Sequence, residues 1–134
     1  NTNAVKSRTR RPATRIILKN KNDKLVEDNG TFKIKMLDSE GKVLDSYKND
    51  YLKSDKKGYI SMYDGVRWIS TFTLKKGMCV LPVVLPDGDY KIAKADLKDV
   101  CLKTFDFKIS SNTISGLDGD SQPISNTVLQ VKGN

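Results

Sequence analysis

The 134-residue chain contains no histidine, two cysteines and one tryptophan. The absence of histidine excludes Ser-His-Asp and Cys-His catalytic arrangements and removes the commonest metal ligand. Two thiols alone do not supply the ligand set of a structural zinc site. No nucleophile is visibly paired with a base, and the many turn aspartates are typical of backbone hydrogen bonding rather than of acid–base catalysis. We therefore predict that the protein is not an enzyme and has no catalytic residues, cofactor or metal.

Long hydrophobic runs are also absent. No segment approaches the roughly 18 consecutive apolar residues that a membrane-crossing helix needs, and no basic and apolar leader is typical of an attached signal peptide. The chain begins at Asn1 rather than at a methionine. We expect a processed or excised piece of a protein, with no membrane span in this chain.

Carboxylates are missing from the first fifteen residues, which contain five basic residues: Lys6, Arg8, Arg10, Arg11 and Arg15. This segment therefore has a charge of +5, and the rest of the chain has the remaining +3 of the net charge of +8. Segment 1–14 has few apolar side chains, so burial cannot offset the entropy lost on ordering it. The sequence predicts a flexible basic arm or linker over 1–14. It predicts one folded domain over 15–134, a size that can bury a core of its own.

Helical periodicity is nowhere sustained, whereas apolar and polar residues alternate often. In Thr31-Phe-Lys-Ile-Lys-Met-Leu37 the apolar side chains fall on one face and the lysines on the other. With the turns at 29–30 and 38–41, this segment predicts a hairpin over 31–48. Further strands are predicted at 14–19, 58–63, 66–74, 78–85, 89–93, 100–109 and 127–131, with a bulge near Lys103 and Thr104. The spacing predicts an all-β sandwich or barrel.

Three segments in order carry a resemblance: Gly30-Thr-Phe-Lys-Ile-Lys-Met-Leu-Asp-Ser-Glu-Gly41, Ser70-Thr-Phe-Thr-Leu-Lys-Lys-Gly77 and Val84-Leu-Pro-Asp-Gly-Asp-Tyr-Lys-Ile92. Together they resemble the B-type repeat, prealbumin-like domains of Gram-positive pilins and surface adhesins, over roughly Ile16 to Val131. The resemblance implies an immunoglobulin-like or prealbumin-like two-sheet β-sandwich. It also implies a non-catalytic structural or adhesive module of a secreted, cell-surface or pilus-like bacterial protein.

Many members of that family join their first and last strands by a Lys–Asn isopeptide bond that a buried carboxylic acid promotes. The resemblance implies Lys19 as the lysine and Asn134 or Asn126 as the asparagine. The family's acid would follow the Tyr90 strand, where this chain has Ala93-Lys94-Ala95-Asp96 instead of the expected Glu. The other interpretation is that Lys19 is an ordinary solvated lysine, since lysine is almost never buried without a partner.

Cys79 and Cys101 have two possible fates. In an oxidising compartment they could form a disulfide, and in a reducing one they could remain small buried hydrophobic residues. The sequence leaves both open.

A cluster of aromatic and basic residues predicts a ligand-binding surface: Tyr51, Tyr63, Arg67 and Trp68. We expect Trp68 to lie in the core, because tryptophan is well buried on average. An exposed Trp68 would instead be a binding anchor. The alternative function is therefore a secreted recognition domain for an acidic or polysaccharide ligand. The expected partners are a host or cell-surface protein, a polysaccharide, or neighbouring domains of the same surface protein. Nucleic acid is not expected, because the lysines alternate with apolar residues as on a solvated sheet face.

Overall fold

The computed structural model describes residues 13–103, 105–110 and 124–131, and of residues 124–126 only the backbone. The predicted arm therefore lies outside the described residues, apart from residues 13 and 14. Within these described residues, ten strands and one short helix follow in chain order: β1 Ala13–Lys19, β2 Gly30–Leu37, β3 Leu52–Ser54, β4 Ile60–Tyr63, β5 Trp68–Ile69, β6 Phe72–Leu74, β7 Met78–Leu81, β8 Gly88–Leu97, α1 Val100–Lys103, β9 Asp106–Ile109 and β10 Ile124–Gln130.

The strands form three sheets. The first sheet has the order β10-β1-β7, the second β6-β2-β8-β9, and the third, smaller sheet β3-β4-β5. The first and last strands, β1 and β10, lie side by side and parallel, while β1 pairs antiparallel with β7. The protein is thus mostly β, as its alternating sequence predicts.

The core lies between the first and second sheets and takes alternate residues from each. Ile16 and Leu18 of β1 face inward from the first sheet, and Phe32 and Ile34 of β2 face inward from the second. These residues belong to one continuous cluster of buried side chains, so the two sheets form a sandwich-like pair of layers. Thr14 is also fully buried, and its hydroxyl accepts a hydrogen bond of 2.8 Å from the Leu85 amide. Ala13 and Thr14, which the sequence assigns to the arm, are therefore part of β1.

The predicted hairpin over 31–48 is only half correct. β2 forms as expected, but residues 42–48 make only isolated bridges, one of them Val43 with Leu37. The reason is that other segments use the same edge of β2. β6 pairs with it up to Phe32, Tyr59 bridges to Lys35, and the Met36 amide donates to the Gly58 carbonyl at 2.9 Å.

The predicted strand over 100–109 is wrong in its first half, where the chain forms α1. Asp99 starts this helical turn, because its carboxylate accepts the Cys101 amide at 2.9 Å and its carbonyl accepts the Leu102 amide. The helical turn, rather than a bulge near Lys103, puts Leu102 into the core and leaves Val100 exposed.

A register shift occurs in β8 instead. Thr31 pairs with Asp96 while Lys33 pairs with Ala93, so β8 has one extra residue there, and Lys94 has a φ of 45°.

The predicted strand over 66–74 divides into two short strands that belong to different sheets. β5 pairs with β4 in the third sheet, and β6 pairs with β2 in the second. The chain crosses between the sheets at residues 70–71. This crossing connects the third sheet to the second.

Candidate functional site

The third sheet has one buried and one outward face. Leu52, Ile60 and Met62 are fully buried, whereas the residues that alternate with them are only partly covered or exposed. The outward face therefore carries Tyr51, Lys53, Ser61, Tyr63 and Trp68. Their orientation follows from strand alternation.

Three aromatic side chains of this face lie in one row across the three strands. Tyr63 is opposite Trp68 in the β4–β5 register, and the Tyr63 amide donates to the Tyr51 carbonyl at 2.9 Å on the β3 side. The rings of Tyr63 and Trp68 lie 5.4 Å apart at an angle of 48°. Tyr51 is 37% and Trp68 38% exposed. We call Tyr51, Tyr63 and Trp68 the aromatic row.

Trp68 is therefore not a core residue, and the core interpretation of it is wrong. The reason is local: Trp68 lies in the two-residue edge strand β5, on the face opposite the buried Leu52, Ile60 and Met62. The Lys53 ammonium lies 4.2 Å from the centre of the Trp68 ring. A cation over an indole face is attracted by the ring's quadrupole and adds positive charge beside the aromatic surface.

The turn between β4 and β5 is held by Asp64. Its carboxylate accepts the Val66 amide at 2.8 Å and the Arg67 amide at 2.9 Å. The hydrogen bond from the Arg67 amide, and secondly the one from the Val66 amide, lower the pKa of Asp64. Together they outweigh desolvation, which acts to raise that pKa. The role of Asp64 is therefore to hydrogen-bond the backbone of the turn. Val66 and Arg67 are exposed in this turn, next to Trp68 in the sequence.

The structure aligns three of the four predicted ligand-binding residues, Tyr51, Tyr63 and Trp68, and places the exposed Arg67 in the turn that precedes Trp68. It also adds Lys53 to them, and it places Tyr59 on the same outward side of the segment that leads into β4. The sequence analysis missed both. The signal was present, because Tyr51 and Lys53, and Tyr59, Ser61 and Tyr63, each alternate with residues that are buried.

Of the predicted isopeptide residues, Lys19 and Asn126 are not brought together. Lys19 is opposite Gln130 in the parallel register, and Asn126 is opposite Arg15. Four residues of strand, about 13 Å, separate Lys19 from the position of Asn126. The Lys19 ammonium instead lies 3.5 Å from the Asp23 carboxylate, and Lys19 is partly exposed. Asn134 lies outside the described residues.

Cys79 and Cys101 are both free thiols in the structure. Cys79 faces inward on β7 and is 2% exposed, while Cys101 is half-buried on α1. Burial, partly opposed by a hydrogen bond from the Thr73 backbone, raises the pKa of Cys79 to about 12. Cys79 is therefore a core thiol with little nucleophilic character.

A cleft of about 540 Å³ opens where β9 and β10 face each other. Its described lining combines Phe105, Phe107 and Val128 with one carboxylate, Asp106. The described lining therefore does not present the paired carboxylates that an acid–base enzyme without histidine would require.

Over the residues that the structure describes, His, Cys, Asp and Glu side chains nowhere form a group of three that could hold a metal ion. Within the same residues, no helix has both the length and the apolar character needed to cross a membrane.

Comparisons of the chain with protein-family models, with curated proteins and with solved structures find no match. The likeness to B-type repeat domains therefore remains a prediction from the three sequence segments.

Proposed function

We propose that this chain is a non-catalytic adhesive module that recognises a polysaccharide, and that the aromatic row is its binding surface. We place the module in a secreted or cell-surface bacterial protein, as the resemblance to B-type repeats suggests. The observation that carries the proposal is the row of Tyr51, Tyr63 and Trp68 on the outward face of the third sheet, in which Tyr51 and Trp68 are exposed and Tyr63 is half-buried.

The chemistry of the row fits a sugar chain. Pyranose rings present apolar C–H faces that stack on aromatic rings, and their hydroxyl groups hydrogen-bond to neighbouring polar side chains. The row offers aromatic rings beside the Lys53 ammonium and the Ser61 hydroxyl. Aromatic side chains lose little conformational entropy on binding, and those in exposed clusters often dominate binding energy. An extended row also suits an extended ligand better than a compact one.

Trp68 is the chain's single tryptophan, so its fluorescence reports directly on the row. We would titrate the protein with laminarin, xylan, mannan, dextran and dextran sulfate and follow Trp68 emission. We expect at least one polysaccharide to shift the emission with a saturating curve. We expect Tyr63→Ala to weaken that binding by about tenfold, the loss that corresponds to ~1.4 kcal/mol.

Trp68→Ala removes the fluorophore, so its binding is measured by retardation in gels that contain the same polysaccharide. The matched control is Val100→Ala, which truncates a 75%-exposed apolar side chain on α1, away from the row. The control should migrate as the unaltered protein does. The proposal fails if no polysaccharide changes Trp68 emission, or if Trp68→Ala and the control are retarded equally.

A structural role in a surface protein is the second candidate, and the pairing of β1 with β10 favours it. These strands are parallel neighbours over seven residue pairs. Force applied through the start of β1 and the end of β10 would therefore load all the hydrogen bonds between them in shear. We expect single-molecule pulling through residues 13 and 131 to need a higher force than pulling through residues 13 and 66. Equal forces would remove the support for a load-bearing role.

A further inference from the structure

The outer face of the second sheet carries four lysines that adjoin the aromatic row: Lys33, Lys35, Lys91 and Lys94. Lys33, Lys35 and Lys91 face outward by strand alternation. Lys35 lies directly opposite Lys91 in the β2–β8 register. Like charges in this position repel each other and destabilise a sheet, so sheet stability alone does not favour the pair. We call the four residues the lysine cluster.

Lys94 joins the cluster through the extra residue in β8. Tyr90 and Ile92 point inward, so uninterrupted alternation would send Lys94 toward the core. The register shift and the left-handed backbone of Lys94, with φ at 45°, turn its side chain outward instead. Bulges commonly re-aim a side chain in this way. A non-glycine residue with this backbone conformation is uncommon, and here it delivers a further cation to an already cationic face.

Tyr59 connects the lysine cluster to the aromatic row. The Lys35 ammonium lies 4.7 Å and the Lys94 ammonium 5.5 Å from the centre of its ring. Tyr59 precedes β4 on the same outward side as Ser61 and Tyr63, so the aromatic and cationic surfaces form one face. Tyr63 is four positions after Tyr59, which corresponds to about 13 Å of extended chain.

The lysine cluster shares its outer face with three carboxylates, Asp89, Asp96 and Asp106, but none of its lysines forms an ion pair among the described side chains. The ion pairs found among the described side chains are Lys19–Asp23 and Lys108–Asp89, and neither includes a cluster residue. Lys33 donates to the Ser70 carbonyl and hydroxyl, and Asp106 is opposite Lys91. The nearby turn carboxylate of Asp55 accepts the backbone amides of residues 57 and 59.

We propose that the ligand is a linear anionic polysaccharide whose acidic groups lie on the lysine cluster while its sugar rings stack on the aromatic row. This inference rests on the proposed function and specifies its ligand class. Charge complementarity selects the anion, because an acidic chain would relieve the repulsion between Lys35 and Lys91. The spacing selects a chain, because one small anion cannot contact both surfaces.

Dextran sulfate and unmodified dextran of equal length test this, because they share a backbone and differ in charge. We expect dextran sulfate to bind at least about tenfold more tightly, with an affinity that falls as salt rises. Converting Lys33, Lys35, Lys91 and Lys94 together to glutamine should remove most of that advantage and most of the salt dependence. Lys94→Gln alone should remove part of it. Thermal unfolding of each variant checks that it folds.

The matched control converts four other exposed lysines to glutamine: Lys21, Lys24, Lys75 and Lys103. It changes the net charge equally and should reduce dextran sulfate binding by less than about twofold. Equal losses in the two fourfold variants would overturn the inference, because net charge would then explain the binding. Single-stranded DNA that binds as tightly as dextran sulfate and depends on the same lysines would overturn it as well, in favour of a nucleic acid ligand.

The two proposals can fail separately. If a neutral polysaccharide binds and needs Trp68, while the lysine-cluster variant binds dextran sulfate as tightly as the unaltered protein, the proposed function stands and the anionic ligand is wrong. If dextran sulfate binding depends on the lysine cluster but not on Trp68, the aromatic row is not the site.

Discussion

Asp28 is the buried carboxylate that joins separate parts of the second sheet. It is 5% exposed, and its oxygens accept the amides of Asn29 at 2.8 Å, Lys98 at 3.4 Å and Asp99 at 2.9 Å. Its carbonyl accepts the Gly77 amide at 3.0 Å. Asp28 thereby ties the segment before β2 to the end of β8 and to the turn before β7.

The hydrogen bonds of Asp28 predict a dependence of stability on pH. Burial acts to raise the pKa of Asp28, but the amide donors, led by Asp99, and the charge of Lys98 outweigh it and lower the pKa below its ordinary value of 3.8. The stabilisation by the carboxylate is therefore present above about pH 4 and is lost as the pH falls further. We expect Asp28→Ala to cost about 2 kcal/mol at pH 7.

Urea unfolding at several pH values measures this contribution. With Asp28→Asn, the free energy of unfolding should fall less as the pH drops below 4. The control is Asp96→Asn, at an exposed position on β8, which should not change how the free energy of unfolding depends on pH. An Asp28→Asn protein whose stability falls with acid as steeply as that of the unaltered protein would contradict the assignment.

The two thiols should differ in reactivity. Because Cys79 is buried and its pKa is raised to about 12, it should resist alkylation in the folded protein. Iodoacetamide at pH 8 should therefore label Cys101 first and label Cys79 only in denaturant. Intact mass measures the number of labels, and the Cys79→Ala variant shows which cysteine carries each label. Labelling of Cys79 at the rate of Cys101 would contradict the packing. If reductant raises the intact mass of the unlabelled protein by two hydrogens, the two cysteines instead form a disulfide.

Among the elements, the third sheet depends on a close contact at Gly58. The Gly58 backbone has a φ of 86°, and a Cβ there would lie 2.8 Å from the Cβ of Val43. Gly58→Ala should therefore strain the backbone and push residues 58–59 away from β2. We expect it to destabilise the protein by roughly 2 to 3 kcal/mol and to weaken polysaccharide binding, since Tyr59 and β4 follow directly.

Gly41→Ala is the matched control. Gly41 has a similar φ of 83°, but a Cβ added to it would meet no atom of the described chain within 4 Å. The substitution should cost only the backbone term of about 1 kcal/mol and leave binding unchanged. Equal costs in urea unfolding would mean that the contact with Val43 does not hold the third sheet in place.

The alternation of apolar and polar residues made the middle parts of the strands predictable. It did not predict which strands pair with each other. The inward face of β2 follows from its sequence pattern. The division of 66–74 between two sheets does not, because Ser70 and Thr71 show no break in a pattern that depends only on neighbouring residues. Likewise α1 depends on Asp99 as a cap, and the outward turn of Lys94 depends on a register that forms between distant segments.

The candidate site shows the same limit. The sequence places Tyr51, Tyr63, Arg67 and Trp68 near turns and strands, but it does not show that β3, β4 and β5 align the three aromatic residues in one row. The exposure of Trp68 depends on its place in the edge strand β5, opposite Tyr63 on the outward face. Lys53 and Tyr59 gain their importance only from that alignment.

At the scale of the whole molecule, the described surface combines different chemistries on one side. The sandwich-like pair of sheets supplies a rigid support, and the third sheet extends the outer face of the second. Aromatic rings then lie at one end of this face and the lysine cluster at the other, with Tyr59 between them. The central claim is that a single anionic sugar chain binds across both.

Chemical-shift mapping tests that claim most directly, because a 15.0 kDa protein is well suited to amide spectra. A short dextran sulfate chain would be added stepwise to ¹⁵N-labelled protein at moderate salt. We predict that the largest shifts fall on the Trp68 indole and on the amides of residues 33–35, 51–53, 59–63 and 91–94. Shifts concentrated on β1, β7 or α1, or shifts confined to scattered lysines, would contradict the account.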